Sequence, residues 1–151
     1  MSMKGLVFIS VVFFMIACSG GERDYLSYNE AEKLYMKGES CEALRLLERL
    51  ERENGSFLQP FVLDGRINLF LGNYDTAESK LEYVLEKNPL DFEAVRWLSW
   101  VYLRKDETEK CIRLLKEALE KYPEEPRLLL LYGNAEKKGG NHTEAAEAYR
   151  R

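Results

Sequence analysis

Several residues in this chain are of types that do chemistry, but few are arranged to do it. His142 is the only histidine, in the turn-like stretch "GGNHTEA". A Ser-His-Asp relay would have to be built on it, and no surrounding motif supports one. The chain has no HExxH, no glycine-rich phosphate loop and no cysteine pair at zinc spacing. The expectation is therefore no metal, no cofactor and no enzyme. Carboxylates are plentiful, but "LERLERE" and "KEALEKYPEE" read as solvated helix faces with i,i+4 charge pairs. Binding chemistry is better represented. Arg66 and Arg96 suit carboxylates by bidentate pairing, and aromatic side chains such as Trp100, Tyr28 and Tyr35 are frequent anchors at interfaces. Cys18, directly behind an apolar run, is a thiol placed to receive a modification.

These residues need elements to hold them, and the sequence contains a regular frame. Pro89 and Pro123 are 34 residues apart. Gly38, Gly72, Asp106 and Gly140 keep the same period, as do Ala43, Ala77, Cys111 and Ala145, and Leu47, Leu81, Leu115 and Tyr149. Apolar residues at three- and four-residue spacing (Ala77, Leu81, Val84, Leu85, then Ile112, Leu115, Ala118, Leu119) predict amphipathic helices. Cap-type residues precede them: Ser40, Asn73 and Asp75, Thr108, Asn141 and Thr143. Glu78 follows Asp75 at capping-box spacing. The small residue at the Ala43 phase predicts a close helix crossing, and Pro89, Pro123 and Pro126 are expected to mark helix ends.

A period of 34 with Gly, Ala, a large apolar residue and then Pro resembles the tetratricopeptide repeat, a helix-turn-helix unit. Repeats then begin at Asp24, Leu58, Phe92 and Pro126, so that the resemblance covers residues 24–151. It implies an all-α fold, a right-handed α-solenoid of about three and a half repeats, in which stacked neighbours bury faces that one hairpin cannot. Repeat three fits best, with Val95, Leu98, Ser99 and Tyr102 at the family's apolar and small positions. Repeat two has Asp64 and Asn68 where apolar residues are expected. Cys41 and Cys111 are a whole repeat apart, which disfavours an intrachain disulfide, since helices pack about 8–10 Å apart and a bridge needs Cα atoms within about 7 Å.

The start of the chain suggests a compartment. Lys4, an apolar run from Leu6 to Ala17 broken only by Ser10, and small residues at the end have the proportions of a signal peptide, too short to span a bilayer as a helix. "IACSGG" resembles the lipobox of bacterial lipoproteins, with Met15 where Leu is usual. The resemblance implies a signal peptide at residues 1–17, lipidation of Cys18 and a short linker at 18–23. Several acyl chains would make such an anchor stable, at about 0.8 kcal/mol per buried methylene. Ser19 after the cysteine resembles an outer-membrane address, facing the periplasm. A signal peptide ordinarily cut near Ala17, or an uncut anchor, remains the alternative. Losing Lys4 with the leader takes the formal net charge from −4 to −5 and leaves 134 residues. That balance disfavours nucleic acid and anionic membrane surfaces as partners.

In each first helix, positions 2, 5, 9 and 12 form one stripe at the 100° step, which lines the concave groove in the family it resembles. Here it holds Tyr28 and Tyr35, then Arg66 and Leu69, then Arg96 and Trp100, then Asn134, with Phe70, Arg104 and Lys138 at its flank. These are the candidate partner-binding residues, although Tyr35 and Leu69 could equally pack between adjacent helices. The resemblance implies a membrane-tethered adaptor for a protein or peptide of the cell envelope. A carrier of a small apolar ligand is the alternative, for which a closed pocket would speak.

Overall fold

A computed structural model describes residues 21–151, and the leader with Cys18 lies outside the described residues. Helix α1 covers residues 21–36 of these. It is followed by α2 (Ser40–Glu53), α3 (Gln59–Leu71), α4 (Tyr74–Lys87), α5 (Phe92–Arg104), α6 (Thr108–Lys121), α7 (Pro126–Lys138) and α8 (His142–Arg150). The fold is all-α, with no strand among the described residues. No helix among them is long and apolar enough to cross a membrane. The chain forms two compact units that divide between Phe57 and Leu58.

The period of 34 is built into the backbone. After each first helix the chain takes a left-handed residue: Gly38 (φ 85°), Gly72 (82°), Asp106 (62°) and Gly140 (86°). The next N–H then reaches back five residues: Glu39 to Leu34, Asn73 to Asn68, Glu107 to Tyr102 and Asn141 to Glu136, at 2.8–2.9 Å. This closure satisfies carbonyls that a helix end leaves without partners, and it turns each pair into a hairpin of fixed angle. Asp106 adopts the conformation its glycine counterparts adopt freely, which Asp tolerates better than most residues.

Within each pair, both helices bury a small residue, and at Gly65 and Gly133 the first helix lies close against Leu81 and Tyr149 of the second. Ala43, Ala77, Cys111 and Ala145 are buried on the second helices, and Ala31, Gly65, Ser99 and Gly133 on the first. The Cys111 thiol donates to the Ser99 carbonyl at 3.4 Å, and burial pushes its pKa up to about 12. In the C-terminal unit consecutive helices pack in order, and α3 also touches α5, and α5 touches α7. The first helices thus stand side by side in a row. Cys41 is exposed, Cys111 is buried, and both are free thiols.

Three local expectations are corrected. Asn73 and Asn141 do occupy the N-cap positions of α4 and α8, but neither makes a side-chain cap bond. The N-caps of α2 and α6 are Glu39 and Glu107, also without one. The asparagine amides instead turn back to acceptors in the preceding helix: Asn73 to Asn68 Oδ1 at 3.0 Å and Asn141 to Glu136 Oε2 at 2.6 Å. Both acceptors belong to buried residues, and a buried acceptor without a donor is costly. Asp75 and Glu78, spaced like a capping box, both accept from Lys105 at the end of α5. Pro126 opens α7, where its missing N–H removes no helical bond.

Candidate functional site

Helix α3 is apolar on nearly its whole circumference, and its polar exceptions fix it in place. Asp64, 2% exposed, accepts from Asn68 Nδ2 at 2.6 Å and stands 3.1 Å from Lys80 Nζ of α4. The misfits of repeat two are therefore a hydrogen-bonded, charge-paired strut between its helices. Helix α5 is started by Asp91, whose carboxylate accepts from Ala94 N at 3.0 Å. Its far end is tied to α4 by Lys105. The hydrogen bond and charge of that lysine hold the Asp75 carboxyl below the usual carboxylate range, and hydrogen bonds to Asp75 and Glu78 push the Lys105 ammonium up.

Between α3 and α5 lies a pocket of about 520 Å³, lined by Leu69, Phe70, Leu71, Gly72, Tyr74, Trp97, Trp100 and Arg104. Its rim is open, with Phe70 64% and Leu71 51% exposed. Trp97 forms a fixed wall. The Arg96 guanidinium lies 4.2 Å from its ring centroid and that of Arg66 lies 5.7 Å away. Phe70 meets the ring in a T-shaped contact at 5.8 Å. Glu93 completes the arrangement, its Oε2 accepting from Trp97 Nε1 at 3.1 Å and from Arg96. Such cation–π contacts contribute about 0.5–1 kcal/mol each at exposed sites and more when desolvated.

The structure brings part of the predicted stripe together. Arg66 and Arg96, from neighbouring first helices, converge on Trp97, while Trp100 and Leu69 line the pocket beside it. Leu69 is 7% exposed and belongs to the core as much as to the pocket wall. Asn134 is elsewhere, its Oδ1 accepting from the Tyr149 hydroxyl at 2.8 Å and so holding α8. Tyr28 and Tyr35 are in the N-terminal unit, where Tyr28 meets the Phe57 ring edge-on at 5.8 Å. Trp97 and Tyr74 were missed. Trp97 stands one residue off the stripe, but it is three before Trp100, a spacing that shares a helix face.

Charge is unevenly placed in this unit. Its first helices carry Arg66, Arg96, Arg104, Arg127, Lys137 and Lys138 against the carboxylates Asp64, Glu93 and Glu136. Asp64 and Glu136 are buried and paired with Lys80 and Lys116 of second helices. The exposed charge of this row is therefore positive on a chain that is acidic as a whole. His142 is exposed at the start of α8. Among the described residues no three His, Cys, Asp or Glu side chains gather as a metal site would require.

Models of the tetratricopeptide repeat family match residues 71–127 and 111–151. One curated relative, the phagocyte signaling-impaired protein of Drosophila pseudoobscura pseudoobscura, is 32% identical over 92 residues. That match spans 61% of this chain but only 10% of the relative. Solved structures share the fold. MamA (41-end) from Desulfovibrio magneticus RS-1 superposes with a TM-score of 0.76 at 22% identity, covering 84% of this chain and 72% of that one. A thermophilic repeat protein of Thermus thermophilus gives 0.72 at 22% identity, over 83% and 70% of the two chains. A third, from Parabacteroides merdae, gives 0.71 at 19% identity and covers 96% of this chain, which spans 57% of its length.

Proposed function

From residue 71 to its last residue the chain belongs to the tetratricopeptide repeat family, and on that premise we propose that it is a protein-interaction adaptor, not an enzyme. It holds a peptide or protein partner against the row of first helices α3, α5 and α7. The observation that carries this reading is the open pocket beside the arginine-flanked Trp97. It offers apolar area and positive charge on rigid elements, and no nucleophile or base is built into it. The exposed rim of Phe70 and Leu71 favours a side chain offered by a partner over a small apolar ligand, which a closed cavity would retain better.

The adaptor works tethered in the bacterial cell envelope, on the reading of Cys18 as a lipidated cysteine. The basic start, the apolar run and the small residues before Cys18 support this, with the outer membrane facing the periplasm as the location. Two measurements test the parts separately. Trp100→Ala should keep the helical circular dichroism of the wild type and lose at least tenfold in capture of the cognate partner. Normal capture by the folded variant would place the binding surface elsewhere. Cys18→Ala should abolish lipid labelling and release the protein from membranes, and a variant that stays there with its leader uncut would refute lipidation.

A further inference from the structure

We propose that the α3–α5 pocket takes an aromatic side chain from an internal, acidic segment of the partner. The aromatic ring would stack on Trp100, and a neighbouring carboxylate would bind Arg104. This rests on the adaptor reading above and specifies the chemistry of its partner.

Two side chains one helical turn apart on α5 carry the argument. Trp97 already has two guanidiniums over its ring and Phe70 in a T-shaped contact with it. Trp100 differs, being half-buried in the pocket wall with no aromatic or cationic partner among the described residues. Its open face suits an aromatic side chain, because offset and edge-to-face pairs add to simple area burial. Arg104 follows at i+4 on the same helix face. Arg104 is exposed, lines the pocket and makes no ion pair among the described residues. Its neighbour Lys105 is by contrast committed to Asp75 and Glu78. An uncommitted guanidinium beside an open indole suits a carboxylate next to an aromatic residue. The positive row of first helices extends that complementarity to further acidic residues on either side. Nothing in the pair requires a chain terminus, so an internal segment suffices.

Trp97 and Trp100 are the only tryptophans of the chain, so intrinsic fluorescence reports on this pocket alone. Three probes would be titrated into the full chain: acetyl-Glu-Glu-Phe-Glu-Glu-amide, the same peptide with Lys for every Glu, and the same peptide with Ala for Phe. The expected result is a fluorescence change with the first peptide at least tenfold tighter than with either other. The preference should weaken with salt, and Arg104→Glu should reverse it towards the lysine peptide. Equal binding of the alanine peptide would overturn the aromatic anchor, and equal binding of the lysine peptide the acidic partner. Suppose no peptide binds, yet a photoreactive residue at position 100 captures a partner that competes with none of them. The adaptor reading then stands and this occupant is wrong; if position 100 captures nothing, both fall.

Discussion

Replacing Gly65 with alanine sets two opposing effects against each other at one helix crossing. Gly65 lies inside α3, where alanine is favoured over glycine by about 1 kcal/mol through propensity alone. Against this, a Cβ built on Gly65 would lie 2.7 Å from Leu81 Cγ, 3.0 Å from Cδ2 and 3.3 Å from Cδ1. Leu81 is fully buried and its branch point cannot swing into solvent. The helices must therefore part, at the roughly 1–3 kcal/mol typical of overpacking. The two terms leave Gly65→Ala destabilising by about 1 kcal/mol net. The diagnostic is the background. Leu81→Ala costs about 2–5 kcal/mol itself, but it removes all three clashing atoms. In that background Gly65→Ala should stabilise by about 1 kcal/mol, an interaction energy of about 2 kcal/mol between the sites. Urea unfolding followed by fluorescence of Trp97 and Trp100 reads the cycle. If Gly65→Ala stabilises the wild type as much as it does the Leu81→Ala protein, the two helices are not in close contact and the packing argument fails.

Other perturbations probe the turns and the buried polar groups. Lys80→Met should cost roughly 2–4 kcal/mol by leaving Asp64 buried without its cation, and Asp64→Leu added to it should recover most of the loss; a single variant as stable as wild type would show the strut to be idle. Asp106→Gly should raise the unfolding free energy by up to about 1 kcal/mol, seen as a higher urea midpoint, because glycine takes a positive φ without strain; a lowered midpoint would mean that the exposed Asp106–Lys138 pair outweighs the backbone. Burial pushes the Glu136 carboxyl up, but hydrogen bonds from Tyr132 and Asn141 and the nearby Lys116 outweigh it, holding the group below its ordinary 4.5. A depressed folded pKa gives stability that is present above the unfolded value and lost as pH falls below it. The stability gap between wild type and Glu136→Gln should thus shrink from pH 6 to pH 3, and a constant gap would contradict the assignment.

The repeat frame was legible because its signals are covalent and periodic. A left-handed glycine, a small residue at a crossing and a proline past a helix end each have few substitutes, so each recurs at the same phase. Asp106 could be placed by phase although its residue type departs from the rest. The polar contacts were less legible, because one residue type can serve two ends. Asn73 and Asn141 have the chemistry of caps, yet each is drawn to a buried acceptor one turn earlier. Asp64 and Asn68 looked like misfits because their partner Lys80 is on another helix. Beside the pocket, the stripe included Arg66 and Arg96 but not the Trp97 ring on which they converge. A 100° step identifies a line of Cα positions, whereas the long guanidinium arms reach sideways onto Trp97.

The measurement that tests the central claim most directly is photo-cross-linking in living cells, with the reactive residue placed in turn on two faces. Phe70, Trp100 and Leu130 represent the first helices; Arg113 and Glu117 represent exposed positions of α6. The account predicts that the three first-helix positions capture one and the same protein, identified by mass spectrometry, and that the α6 positions do not. Capture of that protein from Arg113 or Glu117, with none from Phe70 and Trp100, would contradict it.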